Sequence, residues 1–139
     1  MADTSGWLID KSALARLAHC SETELWRQRV IHGLIHISTV TLLEVGFSAR
    51  SESDWIALQG NPPITDMPTE SVTPRVETRA LEVQQLLARA GTHRAPGPAD
   101  LLIAAIAEIA GLSVLHVDKD FELIAEVTGQ PMDRLRGNW

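Results

Sequence analysis

The stretch 112–117 constrains the fold more than any other part of the chain. It is short, mostly apolar and partly β-branched. It follows Gly111 and runs directly into Asp118, Lys119 and Asp120. An apolar run of this length, bounded by a turn residue, reads as a strand buried on both faces, as in a parallel sheet covered by helices. Two shorter runs share its character: Trp7-Leu8-Ile9, which ends on Asp10, and Leu34-Ile35-His36-Ile37. Ligands of open α/β sheets bind beyond the carboxyl ends of the strands. Asp10 and Asp118 therefore stand where chemistry is expected.

Helical patterns fill the intervals. Ala13, Leu14, Leu17 and Ala18 recur at helical spacing over 12–18, with Ser12 as a candidate cap. Ser21, with Glu24 three residues on, forms a capping-box start for a helix that Gly33 stops. Ser38 or Thr39 opens the next helix, which carries Val40, Leu42, Leu43, Val45 and Phe47 toward Arg50. Ser51 restarts a helix as far as Gly60. Asn61-Pro62-Pro63 breaks the chain into a loop over 64–73 with room for a short edge strand. Pro74 suits the first turn of a helix whose apolar face runs Val76, Ala80, Val83, Leu86, Leu87 and Ala90, ended by Gly91. The segment 98–110 is apolar nearly all round, broken only by Asp100 and Glu108, and reads as a helix buried in the core. A last helix over 121–127 and a small closing strand over 131–135 complete the pattern. Strands alternating with helices predict an α/β fold, a three-layer α/β/α sandwich with a central, mainly parallel sheet. The length fits one domain over residues 1–139.

Composition limits the function. The net charge of −6 argues against broad electrostatic adhesion to nucleic acid. Divalent ions held by clustered acids would change that field locally. The longest apolar run, 101–107, is far too short to span a bilayer. The first residues lack the basic and apolar regions of a signal peptide. Cys20 is the only cysteine, which excludes an internal disulfide, and a cytoplasmic location fits.

Asp10, Glu44, Asp100 and Asp118 occupy unusual places: two strand ends, an apolar helical run and the first turn of a buried helix. Buried charges are costly unless paired or bound to a metal, and oxygen ligands of this kind suit Mg²⁺ or Mn²⁺. Each acid also has a plainer reading. Asp100 favours the helix dipole, Asp10 starts a turn, Glu44 faces solvent and Asp120 caps the last helix. The combination, spread over the whole chain, is what points to a metal site. His116 reads as a satisfied core histidine. His32 and His36 are separated by Gly33 and do not form a helical metal pair. No Gly-rich phosphate loop or Gly-x-Ser-x-Gly elbow is present.

The pieces Leu8-Ile9-Asp10-Lys11-Ser12, Ile37-Ser38-Thr39-Val40-Thr41-Leu42-Leu43-Glu44-Val45, Pro98-Ala99-Asp100-Leu101-Leu102-Ile103-Ala104-Ala105 and Leu115-His116-Val117-Asp118-Lys119-Asp120-Phe121 resemble, in order and spacing, a PIN domain of the VapC toxin type. The resemblance implies a PIN-like fold and an Mg²⁺- or Mn²⁺-dependent endoribonuclease that belongs to a bacterial toxin–antitoxin pair. It implies that Asp10, Glu44, Asp100 and Asp118 form the catalytic, metal-holding quartet, supported by Ser12 and Asp120. It also implies a homodimer and a VapB-type antitoxin partner. The helices around 21–33 and 38–60, with Trp26, Phe47 and Trp55, are candidates for the antitoxin groove, although Trp26 and Phe47 suit the core equally. Arg16, Arg75, Arg79 and Arg94 are candidate phosphate contacts. The alternatives are a metal-dependent phosphotransfer or phosphohydrolase domain, and an inactive PIN-like binding module. A dehalogenase-like nucleophile site wants Asp-x-Asp at the first strand, where this chain has Asp10-Lys11-Ser12.

Overall fold

The computed structural model describes residues 6–139. Strands β1 (Trp7–Ile9), β2 (Ile35–Ser38), β3 (Thr69–Glu70), β4 (Ser113–His116) and β5 (Met132–Arg134) form one sheet in the order β3-β2-β1-β4-β5. Every neighbouring pair is parallel. The run that constrains the fold is thus the second of the two strands flanking β1, and the closing strand extends the sheet beyond it. The edge strand expected in the proline-rich loop is β3, two residues long.

Among the described residues, seven α-helices cover the sheet: α1 (Lys11–Leu14), α2 (Thr23–Ile31), α3 (Thr39–Phe47), α4 (Glu52–Gln59), α5 (Pro74–Ala90), α6 (Pro98–Ala110) and α7 (Asp120–Thr128). Successive strand residues point to opposite faces, and the core divides accordingly. Leu8 and Val114 pack with α5, α6 and α7, through Val83, Leu87, Ile103, Ile106, Phe121 and Ile124. Trp7, Ile9, Ile35, Ile37 and Leu115 pack on the other side with Ala13, Trp26, Val30 and Leu135. There Trp7 meets Trp26 edge to face at 5.1 Å. The Arg29 guanidinium lies 4.5 Å from the Trp7 ring and 4.4 Å from the Trp26 ring, a cation–π contact with both. Gly91, Gly111 and Gly129 end α5, α6 and α7 in the left-handed region that an L side chain disfavours.

Two helix starts differ from expectation. Ser12 does not cap the first helix: Asp10 does, accepting from the Ser12 N–H, and α1 ends at Leu14 before a separate 3₁₀ turn over Leu17–His19. The capping box at Ser21 does not form. The Ser21 N–H donates instead to the Arg136 carbonyl at 2.8 Å, and Glu24 receives the Arg27 guanidinium at 2.9 and 2.7 Å. At Ser38 and Ser51 the predicted caps are present, each accepting a backbone N–H three residues on.

Phe121 is fully buried at the start of α7, against the His116 ring 5.2 Å away. Truncation to alanine would leave a cavity beneath both α6 and α7. Phe121→Ala is therefore expected to cost about 3–5 kcal/mol of unfolding free energy, read from the midpoint shift in urea unfolding.

Candidate active site

The parallel sheet brings three separate parts of the chain to one edge. β1 ends on Ile9, so Asp10 leaves the sheet there, and β4 ends on His116, two residues before Asp118. β2 feeds directly into α3, whose second turn carries Glu44. Asp100 lies at the third residue of α6, whose first turn returns to the same edge. Asp10, Glu44, Asp100 and Asp118 line one cavity of about 300 Å³, together with Lys11, Ser12, Ala15 and Arg16. The four acids singled out in the sequence thus meet.

Ser12 ties the first acid to the last strand. Its hydroxyl donates to Asp10 Oδ2 at 2.6 Å and accepts the Val117 N–H at 2.9 Å. Asp10 Oδ2 also accepts the Ser12 N–H at 3.0 Å, and the Asp10 N–H donates to the Leu115 carbonyl. The Asp10 carboxylate, only 6% exposed, is therefore held from two sides. Asp118 is fixed from the chain that follows it: its Oδ1 accepts the Asp120 N–H at 3.0 Å. Its own N–H donates to His116 Nδ1 at 3.1 Å. His116 is buried, and burial, then the Arg134 charge, pushes its pKa down. A neutral ring accepting at Nδ1 is a satisfied core histidine.

Asp120 belongs closer to the centre than a helix cap would. Lys119 is the residue preceding α7, and Asp120 is its first helical residue. Asp100, Asp118 and Asp120 each place a carboxylate oxygen within 4.8 Å of the others. Asp10 and Glu44 are not members of that tight group, although both line the cavity with Asp100 and Asp118.

The electrostatics show acids lacking compensation. Asp100 is pushed up to about 6 by burial, and further by the charges of Asp10, Asp118 and Asp120, against the lowering effect of the Gly97 N–H. Glu44 is raised by burial and by Asp10, with Lys11 opposing. Its Oε1 is a buried acceptor with no hydrogen-bond partner among the described residues. Asp120 is raised by burial and by Asp118. An orphaned carboxylate oxygen beside a cluster of mutually repelling acids fits a hard divalent cation. The cavity lining offers no sulfur or imidazole, the donors that most zinc sites draw on; His116 is turned to the backbone of Asp118 and Cys20 Sγ to the Leu17 carbonyl.

Of the other candidates, Arg16 lines the acidic cavity. Arg79 does not: it pairs with Glu108 at 2.6 Å near the far end of α6. Lys11 is a cavity residue that the sequence did not single out. Its only signal was adjacency to Asp10, and its Nζ donates to Ser48 Oγ at 2.8 Å.

Fold and site together define an α/β protein of PIN-like architecture with an acidic cavity suited to a divalent cation. The family model described as PIN domain matches residues 7–127, and the chain belongs to that family. It is 58% identical to Ribonuclease VapC2 of Mycobacterium tuberculosis (strain CDC 1551 / Oshkosh) over 129 residues, covering 93% of this chain and 92% of that protein. It is 42% identical to Ribonuclease VapC51 of Mycobacterium tuberculosis (strain ATCC 25618 / H37Rv), covering 90% of this chain and 89% of that protein. Within the family it groups with the VapC ribonucleases. Its fold is that of the DNA-bound VapBC crystal structure from Salmonella typhimurium, with a TM-score of 0.74 at 21% identity over 93% of this chain and 97% of that one. The crystal structure of VapBC-5 from Mycobacterium tuberculosis aligns with a TM-score of 0.62 at 22% identity, over 95% of this chain and 98% of that one.

The raised pKa of Asp100 has a consequence for the metal-free protein. A carboxyl harder to ionise in the fold than in the unfolded chain favours folding while protonated, below its ordinary value of 3.8. That contribution is lost as pH rises through about 6. In EDTA, Asp100→Asn is expected to melt higher than the native protein above about pH 6. The gap should close toward pH 4, as thermal melts followed by circular dichroism would show.

Proposed function

We propose that Asp10, Glu44, Asp100 and Asp118 form the catalytic, metal-holding set of an Mg²⁺- or Mn²⁺-dependent endoribonuclease, the toxin of a toxin–antitoxin pair. The observation that carries this reading is the convergence of these four acids on one cavity, with the Glu44 Oε1 unsatisfied. Bound there, a divalent ion would lower the pKa of water and offset negative charge building on a phosphodiester. The chain's own residues do the rest. Asp10, braced by the Ser12 hydroxyl, keeps one carboxylate fixed at the end of β1. Asp118, braced by the Asp120 N–H, keeps another at the end of β4. Asp100 joins them from α6, and Glu44 closes the α3 side, where it orients water or helps hold a second ion. Asp120 supports the group. In-line attack on phosphorus leaves a 5′-phosphate and a 3′-hydroxyl.

A second feature supports an antitoxin partner of the VapB type. Two apolar cavities of about 520 and 340 Å³ share Leu14, Pro62 and Pro63, and so form one groove between α1, α2 and the loop after α4. Lys11 and Ala15 line both the inner end of this groove and the acidic cavity. An apolar segment laid in it would end at the acids, the geometry of helix-in-groove recognition. Trp26 is not an anchor there, because it is buried beneath the surface with Trp7. Phe47 is 91% exposed, so it is not a core residue. With Leu43 four residues before it, also exposed, it supports a homodimer surface on α3. Among the described residues no helix is long and apolar enough to cross a membrane; the proposed setting is the cytoplasm, with one PIN-like domain over residues 1–139.

The test is cleavage of total cellular RNA by antitoxin-free protein with Mg²⁺, with Mn²⁺ and with EDTA, beside Asp10→Asn. Discrete fragments that require metal are expected, with at least about a hundredfold loss of rate in Asp10→Asn and an unchanged circular dichroism spectrum. Cleavage by Asp10→Asn at the native rate would refute the assignment.

A further inference from the structure

The segment after β5 brings an aromatic ring beside Arg16, a residue that lines the acidic cavity. Leu135 is buried, its N–H donating to the His116 carbonyl at 2.9 Å, and the Arg136 carbonyl accepts the Ser21 N–H at 2.8 Å. These anchors tie the segment to the end of β4 and to the residues before α2. Trp139 then folds over Gly137, where a Cβ would overlap the indole ring. Its other neighbour is Arg16, whose guanidinium carbon lies 5.9 Å from the ring centroid. The ring remains 47% exposed.

Arg16 connects this ring to the site. It lines the cavity with the four acids, and its Nη1 donates to the Ser12 carbonyl at 2.9 Å. That bond orients the guanidinium fork, and among the described residues its other donors have no hydrogen-bond partner. Among the described residues no carboxylate forms an ion pair with Arg16, although acids crowd the cavity beside it. A positive fork next to a half-exposed indole is the pairing that single-stranded nucleic acid uses: a phosphate on the cation and a base on the ring. The remaining tryptophans are placed differently. Trp7 and Trp26 are buried, and Trp55, though 48% exposed, packs against Gly46 of α3 with no arginine over its ring among the described residues.

We infer that Trp139 and Arg16 form a binding step for the RNA strand, Trp139 stacking a base and Arg16 holding a phosphate at the entrance to the acidic cavity. The inference rests on the ribonuclease reading and extends it to how the strand is positioned. It requires the substrate to be unpaired there, since a base within a duplex offers no free face.

The experiment uses the full chain carrying Asp10→Asn, which keeps the RNA intact, with Mg²⁺ present. A short, fluorescently labelled single-stranded RNA of mixed sequence is titrated and followed by anisotropy. Trp139→Ala is expected to weaken binding about tenfold. Trp139→Phe, which keeps an aromatic face, should restore most of the affinity. Arg16→Ala should weaken binding and flatten its salt dependence. Thermal melts of all variants should coincide, because Trp139 is not part of either core cluster. In parallel, native protein and Trp139→Ala alone are compared in metal-dependent RNA cleavage. Native cleavage together with unchanged RNA binding by Trp139→Ala would overturn the stacking step and leave the ribonuclease reading standing. So would weakened binding in which Trp139→Phe fares no better than alanine. Native protein that neither cleaves nor binds RNA would overturn both.

Discussion

The structure depends on holding carboxylates together that repel one another. Asp10, Asp100, Asp118 and Asp120 meet at the carboxyl edge of the sheet, and burial, with the neighbouring charges adding to it, lifts Asp100 to about 6. Local bonds hold single acids, as at Asp10 and Asp100, but not their convergence. It is imposed by a parallel sheet whose central strands β1 and β4 are clamped between two apolar layers. The cost of the cluster is offset by the apolar layers that clamp the sheet. The Ser12 hydroxyl shows how closely the two are joined, since one oxygen both steadies Asp10 and terminates β4 through the Val117 N–H. Sites held by the scaffold in this way are preorganised rather than assembled on binding.

Several features share the same edge. Lys11 and Ala15 on the first short helix separate the acidic cavity from the apolar groove, and Arg16 one residue later faces the Trp139 ring. A segment following α1 is therefore in reach of the acids, the groove and the proposed strand-binding ring. This proximity gives a physical route by which a partner seated in the groove would obstruct RNA without touching the carboxylates themselves.

Much of this was legible in the sequence because strand ends and helix starts are strongly marked. The apolar runs before Asp10 and Asp118, and the buried helix opened by Pro98, place three acids at one edge by topology alone. Glu44 was legible as a charge in an apolar helix. What could not be read were features decided by distant partners. Ser21 and Glu24 satisfy the local capping pattern, but Arg136 takes the Ser21 N–H and Arg27 takes Glu24. Asp120 looks like a cap until its backbone is seen bound to Asp118 and its carboxylate close to Asp100. Phe47 fits a helical apolar stripe, yet periodicity cannot distinguish a core face from an exposed one, and it is exposed. The approach of Trp139 to Arg16 joins opposite ends of the chain and carries no local signal.

The clustered acids are proposed to hold a divalent cation. Isothermal titration of Mn²⁺ and Mg²⁺ into metal-free native protein, beside Asp118→Asn, addresses it without reference to any RNA. Saturable binding by the native protein is expected, with a rise in its melting temperature on loading and loss of most of both in Asp118→Asn. Native protein that takes up neither ion, or Asp118→Asn that binds as tightly as native, would contradict it.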